Sequence, residues 1–233
     1  MPPPGTEVQV GFAQVADLLQ ACPAQPDAWL GEHELARLSS LSGARRRAQY
    51  LAGRWLARTL LDRVAGCPAG GWQLSAPSNA PSLVLNLPSA GPLHFSISHS
   101  GPHVACAVAG QPVGLDIEPR RLVSQLEDKL DLVCTSAQNE AVRSEPGPGP
   151  ASDLFLQYWT LKESWIKRHP GPGEPPPMHR IAAGLCAIPQ DANARSWLHQ
   201  DVWFALSTEG VAHTFRPDGD SALERLWTVS SPD

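Results

Sequence analysis

Apolar and polar residues alternate through "EVQVGFAQV", Glu7 to Val15, which predicts a first strand. The period then changes. In "ARRRAQYLAGRWLARTLLDRVAG", Ala44 to Gly66, Leu56, Leu60, Leu61 and Val64 recur at helical spacing, with Gly66 as the C-terminal stop. Arg47, Arg54 and Arg58 share one face of that helix. "SAPSNAPS", Ser75 to Ser82, reads as a loop. Three short strands follow: "LHFSISHS" (Leu93–Ser100), "VACAVAG" (Val104–Gly110) and "PVGLDIE" (Pro112–Glu118), with "GPH" and "GQP" supplying the turns. A polar helical stretch runs from Leu122 to Arg143 and is ended by "EPGPGP", Glu145 to Pro150. Ser152 or Asp153 caps the next helix, which reaches about His169 before "PGPGEPPP" stops it. "GLCAIP", "VWFALS" and "LERLWTVS" read as further strands. Strands and helices without regular βαβ alternation predict an α+β fold. Two strand–helix assortments, one on either side of residue 112, divide the chain into halves 1–112 and 113–233.

Composition narrows the class. At 233 residues, 42% hydrophobic and 18% charged, the chain has the length and apolar content for a packed core. Its net charge of −5 offers no broad footprint for nucleic acid. The start lacks the basic and apolar regions of a signal peptide, and no apolar run has the length of a membrane span. Five scattered cysteines without a CxxC fit a reducing compartment, so a cytoplasmic protein with no membrane partner is expected.

Candidate chemistry gathers in four places. In "VGLDIE", Asp116 and Glu118 fall on one strand face and Val113, Leu115 and Ile117 on the other. Paired carboxylates of this kind suit Mg²⁺, or serve as the solvated acidic face of an edge strand. In "YWTLKESWIK", Glu163 and Lys167 lie one helical turn apart among Tyr158, Trp159, Trp165 and Ile166. They form either a surface ion pair or a shielded carboxylate and cation in need of partners. In "FSISHS", Ser98 and His99 end a strand beside Gly101, where hydroxyl, imidazole and free N–H groups can bind an anion, although a structural histidine is the commoner case for a lone His. Last, Arg37, Arg45, Arg46, Arg47, Arg54 and Arg58 make a local positive patch suited to phosphate, or a solvated helix face. No GxxxxGK[ST] or GxGxxG loop is present to cradle phosphates.

Order and spacing join these pieces. Val113-Gly114-Leu115-Asp116 is followed some forty residues later by Trp159-Thr160-Leu161-Lys162-Glu163-Ser164-Trp165-Ile166-Lys167. Together with "FSISHS" and "RRRAQYLAGRWLAR" upstream, this resembles the Sfp-type 4′-phosphopantetheinyl transferases over roughly residues 30 to 180. The resemblance implies two pseudo-symmetric α+β halves with the active site in the cleft between them, and a monomer. It implies transfer of the 4′-phosphopantetheine arm of coenzyme A to a serine of an acyl or peptidyl carrier protein, releasing 3′,5′-ADP. It further implies Mg²⁺ on Asp116, Glu118 and Glu163, with Glu163 also the base. Lys162 and Lys167 are implied at the pyrophosphate and reaction centre. Ser98 and His99 are implied at the 3′-phosphate, with Arg37, Arg45 and Arg47 beside them. Three positions depart from the family pattern: Ser96 stands for the usual Asn, Asn79-Ala80-Pro81 for the usual Gly-Lys-Pro, and Glu140 is displaced from the usual acidic position. A non-catalytic coenzyme A or carrier-binding homologue and a Mg²⁺-dependent nucleotide hydrolase stand as alternatives.

Overall fold

The computed structural model describes residues 8–65, 71–75, 82–85, 92–169, 174–209 and 222–231. The helix stop at Gly66, most of the loop at 75–82 with Asn79-Ala80-Pro81, and the first residues of "PGPGEPPP" lie outside them. The fold is α+β and is built from two five-stranded antiparallel sheets.

The first sheet runs β1 (Gln9–Gln14), β5 (His103–Ala109), β4 (His94–Ser100), β3 (Leu83–Val84), β2 (Leu74–Ser75). The second runs β6 (Val113–Pro119), β9 (Val202–Thr208), β8 (Ala194–His199), β10 (Ala222–Ser230), β7 (Ala182–Leu185). Each sheet carries one long helix: α3 (Ala44–Ala65) on the first and α6 (Pro148–Arg168) on the second. The two units repeat one plan. A first strand (β1 or β6) lies at the sheet edge beside the last strand of a hairpin (β4–β5 or β8–β9), and the long helix falls between them in sequence. That repetition is the pseudo-symmetry. Helices α1 (Val15–Ala21), α2 (Glu32–Ser40), α4 (Leu126–Val133) and α5 (Ser136–Arg143) complete the α-helices among the described residues.

Strand alternation builds three layers of core. On β5, Val104, Cys106 and Val108 face Leu56, Leu60 and Leu61 of α3. Ala105, Ala107 and Ala109 face the second sheet, where they meet Leu115, Ile117, Phe204 and Leu206. Small residues on this inner face let the two sheets approach. On the far side, Leu154, Phe155, Tyr158 and Leu161 of α6 pack on Ala205, Trp227 and Val229. Burial of these side chains is the main stabilising term. Among the described residues no helix is long and apolar enough to cross a membrane.

Three expected elements differ. "GLCAIP" falls mostly beyond its strand, because β7 ends at Leu185 and Pro189 opens a short turn of helix. The stretch 122–143 is two helices, because Thr135 caps a new helix: its hydroxyl accepts from the Gln138 N–H while Gln138 Oε1 accepts from the Thr135 N–H. Helix α6 starts at Pro148, inside the segment expected to exclude helix. Proline is tolerated there because the N–H it lacks would have no intrahelical partner. The expected caps have other duties: Ser152 Oγ accepts from the Val123 N–H at 3.0 Å, and Asp153 pairs with Arg120 at 2.6 Å.

Gly114 fixes how β6 meets α6. A Cβ built on it would collide with the Ser164 carbonyl oxygen and lie 2.8 Å from the Arg168 backbone nitrogen. Both neighbours are helix backbone, so neither can yield as a side-chain tip could. Gly114→Ala is expected to destabilise the protein by about 3 kcal/mol or more, read as a lower midpoint in urea unfolding. An unchanged midpoint would show that the strand and helix can separate freely.

Candidate active site

Residues 114, 116 and 118 share the β6 face turned toward α6. With Ser164 and Arg168 seated on Gly114, the same side of α6 brings Glu163 and Lys167 over Asp116. The Lys167 ammonium lies 2.7 Å from Asp116 Oδ1 and also donates to Ser98 Oγ and the Leu115 carbonyl, each at 3.2 Å. It forms no ion pair with Glu163, so the i,i+4 surface pair open to the sequence is not what this helix makes. Asp116 is 6% exposed. The Glu163 carboxyl is raised above the ordinary carboxylate range, first by burial, then by the Asp116 charge, with Lys167 opposing and Glu118 adding to the rise. Glu118 Oε2 accepts from Ser100 Oγ at 3.2 Å and from Arg121 Nη1 at 2.7 Å. Three carboxylates and one ammonium therefore interact at a single place.

The N-terminal half reaches this place through β4. Its even face carries Ser96, Ser98 and Ser100, and its odd face carries Phe95, Ile97 and His99. Ser96 Oγ accepts from the Leu115 N–H at 2.9 Å. Ser98 Oγ accepts from the Ile117 N–H at 3.3 Å and donates to Asp116 Oδ1 at 2.7 Å. The second sheet's edge is thus closed by hydroxyls of the first.

Several sequence expectations are redistributed. Ser98 and His99, expected to act together on a phosphate, point to opposite faces. The single donor and two acceptor sites of Ser98 are already filled by Asp116, Ile117 and Lys167. His99 faces the α3 side, where burial and then the Lys167 charge hold its pKa below the usual value; Arg45 lies within electrostatic reach. Arg45 and Arg47 are exposed at the start of α3, and Arg47 Nη1 donates to the Leu38 carbonyl at 3.2 Å. Arg37 lines a separate pocket of about 420 Å³ with His33, Glu34, Tyr50, Arg54, Leu74 and Ser75. The other two members of the arginine face are structural: buried Arg58 grips Glu34 with both terminal nitrogens, at 3.1 and 2.5 Å, and Arg54 Nε lies 3.6 Å from the same carboxylate.

Lys162 is not brought to the carboxylates. Five residues from Lys167, it lies about 140° around the helix. It is 0% exposed, and its ammonium donates to the Val133 carbonyl at 2.5 Å, Gln138 Oε1 at 2.6 Å and the Met178 carbonyl at 3.1 Å. It ties α4, α5 and the turn at Met178–Arg180 to α6. Catalytic and pyrophosphate roles were expected for it; here its ammonium bonds a wall of the C-terminal half instead.

Sequence reading missed Ser100, Arg121 and Glu34. The first had a signal, since Ser98–Asp116 and Ser100–Glu118 keep one separation of 18 residues. Arg121 and Glu34 had none that spacing alone supplies.

Residues 112–214 match the profile of the 4′-phosphopantetheinyl transferase superfamily. The chain is 29% identical over 141 residues to the 4′-phosphopantetheinyl transferase HetI of Nostoc sp., covering 60% of this chain and 59% of that one. It is 30% identical over 118 residues to the 4′-phosphopantetheinyl transferase Sfp of Bacillus subtilis, covering 51% and 50%. It is 39% identical over 88 residues to a holo-[acyl-carrier-protein] synthase of Streptococcus suis, covering 36% of this chain and 73% of that one. The chain belongs to the 4′-phosphopantetheinyl transferase superfamily. The match spans between half and three-fifths of the length of the first two relatives.

Burial pushes the Lys162 ammonium down from 10.5 to about 8. The unfolded chain then binds more protons than the folded one between these values, so this group's contribution to stability rises with pH across that window. The difference in urea stability between wild type and Lys162→Met is expected to shift toward wild type as pH rises through it. A pH-independent difference would count against a buried ammonium whose desolvation its hydrogen bonds only partly offset.

Proposed function

We propose that this protein transfers the 4′-phosphopantetheine arm of coenzyme A to a serine of an apo-carrier protein, acyl or peptidyl, and releases 3′,5′-ADP. The observation that carries the reading is the convergence of Asp116, Glu118, Glu163 and Lys167 in a chain of this superfamily. The names of the three relatives supply the reaction class.

The donor set fits Mg²⁺. All three candidate ligands are carboxylates, the hard oxygen donors this ion takes. Asp116 Oδ2 and Glu118 Oε1 accept no hydrogen bond among the described residues, and the acidic neighbours that raise Glu163 leave a repulsion that a cation relieves. As the side chains stand, no three His, Cys, Asp or Glu groups among the described residues close into a metal site. Asp116, Glu118 and Glu163 would hold the ion, which when bound supplies positive charge beside the pyrophosphate oxygens.

The chain's own residues account for the remainder. Glu163, partly buried beside Asp116, takes the proton of the carrier serine directly or through one water. The serine oxygen forms a bond to the phosphorus that bears the pantetheine arm. The bond from that phosphorus to the bridging oxygen breaks, and its electron pair leaves on 3′,5′-ADP. Lys167 faces the charge that develops on this leaving group. His99 with Arg45 and Arg47 offers a basic side suited to the 3′-phosphate, while Arg37 lies in the separate pocket. The protein acts as a monomer in the cytoplasm, with carrier proteins rather than nucleic acid or membrane as partners.

Mixing the protein with coenzyme A, Mg²⁺ and a panel of apo-carriers is expected to add one phosphopantetheine mass to a carrier serine. No mass gain on any carrier, from folded protein, sinks the proposal. Asp116→Ala is expected to lower transfer at least about 100-fold while circular dichroism stays that of wild type. Full activity in that variant would remove this carboxylate from the mechanism.

A further inference from the structure

The two β6 carboxylates are held in the same unusual way. Asp116 Oδ1 accepts from Ser98 Oγ at 2.7 Å, and Glu118 Oε2 accepts from Ser100 Oγ at 3.2 Å. Arg121 Nη1 and Lys167 Nζ add their bonds to those same two oxygens, each at 2.7 Å. The other oxygen of each carboxylate has no hydrogen-bond partner among the described residues. A carboxylate anchored through one oxygen has its plane set and its second oxygen aimed. Two carboxylates anchored from consecutive rungs of one strand are aimed from one template. The template is itself pinned, because Ser96 and Ser98 accept the Leu115 and Ile117 N–H groups at 2.9 and 3.3 Å.

We propose that Ser98 and Ser100 are positioning residues: hydroxyls from the N-terminal half that orient the Asp116 and Glu118 carboxylates of the C-terminal half for a divalent cation. This rests on the carboxylates being the metal ligands of the proposed transfer. It assigns a role to Ser100, and it moves Ser98 from contact with a phosphate to contact with a ligand's carboxylate. Partners of metal ligands are worth about 10- to 100-fold in metal affinity when removed. Ser100 is the cleaner probe, being only partly buried, with a single bond to lose.

The test is Mn²⁺ binding to the full chain, followed by the loss of the free-ion paramagnetic resonance signal. In parallel, 3′,5′-ADP binding is measured by calorimetry in EDTA. Ser100→Ala is expected to weaken Mn²⁺ binding about tenfold or more, Ser100→Thr to restore it, and neither to alter the affinity for 3′,5′-ADP. Ser98→Ala, if its unfolding midpoint stays near wild type, is expected to follow Ser100→Ala in both measurements. Wild-type Mn²⁺ affinity in Ser100→Ala overturns the inference while leaving the transfer reaction standing. So does a loss of 3′,5′-ADP affinity in EDTA as large as the loss of Mn²⁺ affinity. Mn²⁺ binding that depends on Ser100, in a protein that modifies no carrier, supports the positioning role and overturns the transfer reading.

Discussion

The contact between β6 and α6 at Gly114 sets the geometry of everything nearby. Strand and helix backbones touch there, with no side chain between them. A helix held that close presents residues 163 and 167 directly over residue 116 of the strand, one pleat along from the glycine. Any larger residue would lift α6 and carry Glu163 and Lys167 with it. The Ser164 hydroxyl, 2.9 Å from that of Ser207 on β9, fastens the same turn of helix to the next strand. The glycine is therefore a distance constraint on the charged groups as much as a concession to packing.

Two lysines of one helix illustrate how differently a protein can treat the same charge. Lys167 lies against an anion and beside a group of acids, where its charge is matched. Lys162 is surrounded by neutral acceptors and keeps its ammonium only through three hydrogen bonds. One lies among carboxylates from two elements, and the other holds α4 and α5 against the helix that bears Glu163. Between α2 and α3, Glu34 performs a similar service. It closes the first turn of α2 through the Gly31 N–H at 3.0 Å and neutralises Arg58 inside α3's buried face.

Much of this was readable along the chain, and the limit of reading is physical. Strands β4 to β6 and the long helices follow from short-range periodicity, which depends only on neighbours in sequence. So does the shared face of Asp116 and Glu118. The start of α6 at Pro148 was hidden because proline's usual effect on helices reverses in the first turn. The separation of Ser98 from His99 follows from strand alternation, yet a motif treated as one block conceals it. Lys162 could not be told from Lys167 by type or spacing. Its role depends on the carbonyls of Val133 and Met178, which the fold brings from elsewhere in the chain.

The hydroxyl seam between the halves has another consequence. β6 is the edge of its sheet, and an open edge with unpaired N–H groups invites a strand from another molecule. Here the Leu115 and Ile117 N–H groups are taken by serines rather than by a neighbouring strand. The edge is sealed without extending the sheet, so the two sheets stay distinct. A C-terminal half made alone would lose that seal and expose a buried, valine- and isoleucine-containing strand to self-association. The halves repeat one plan, yet each is finished only by the other.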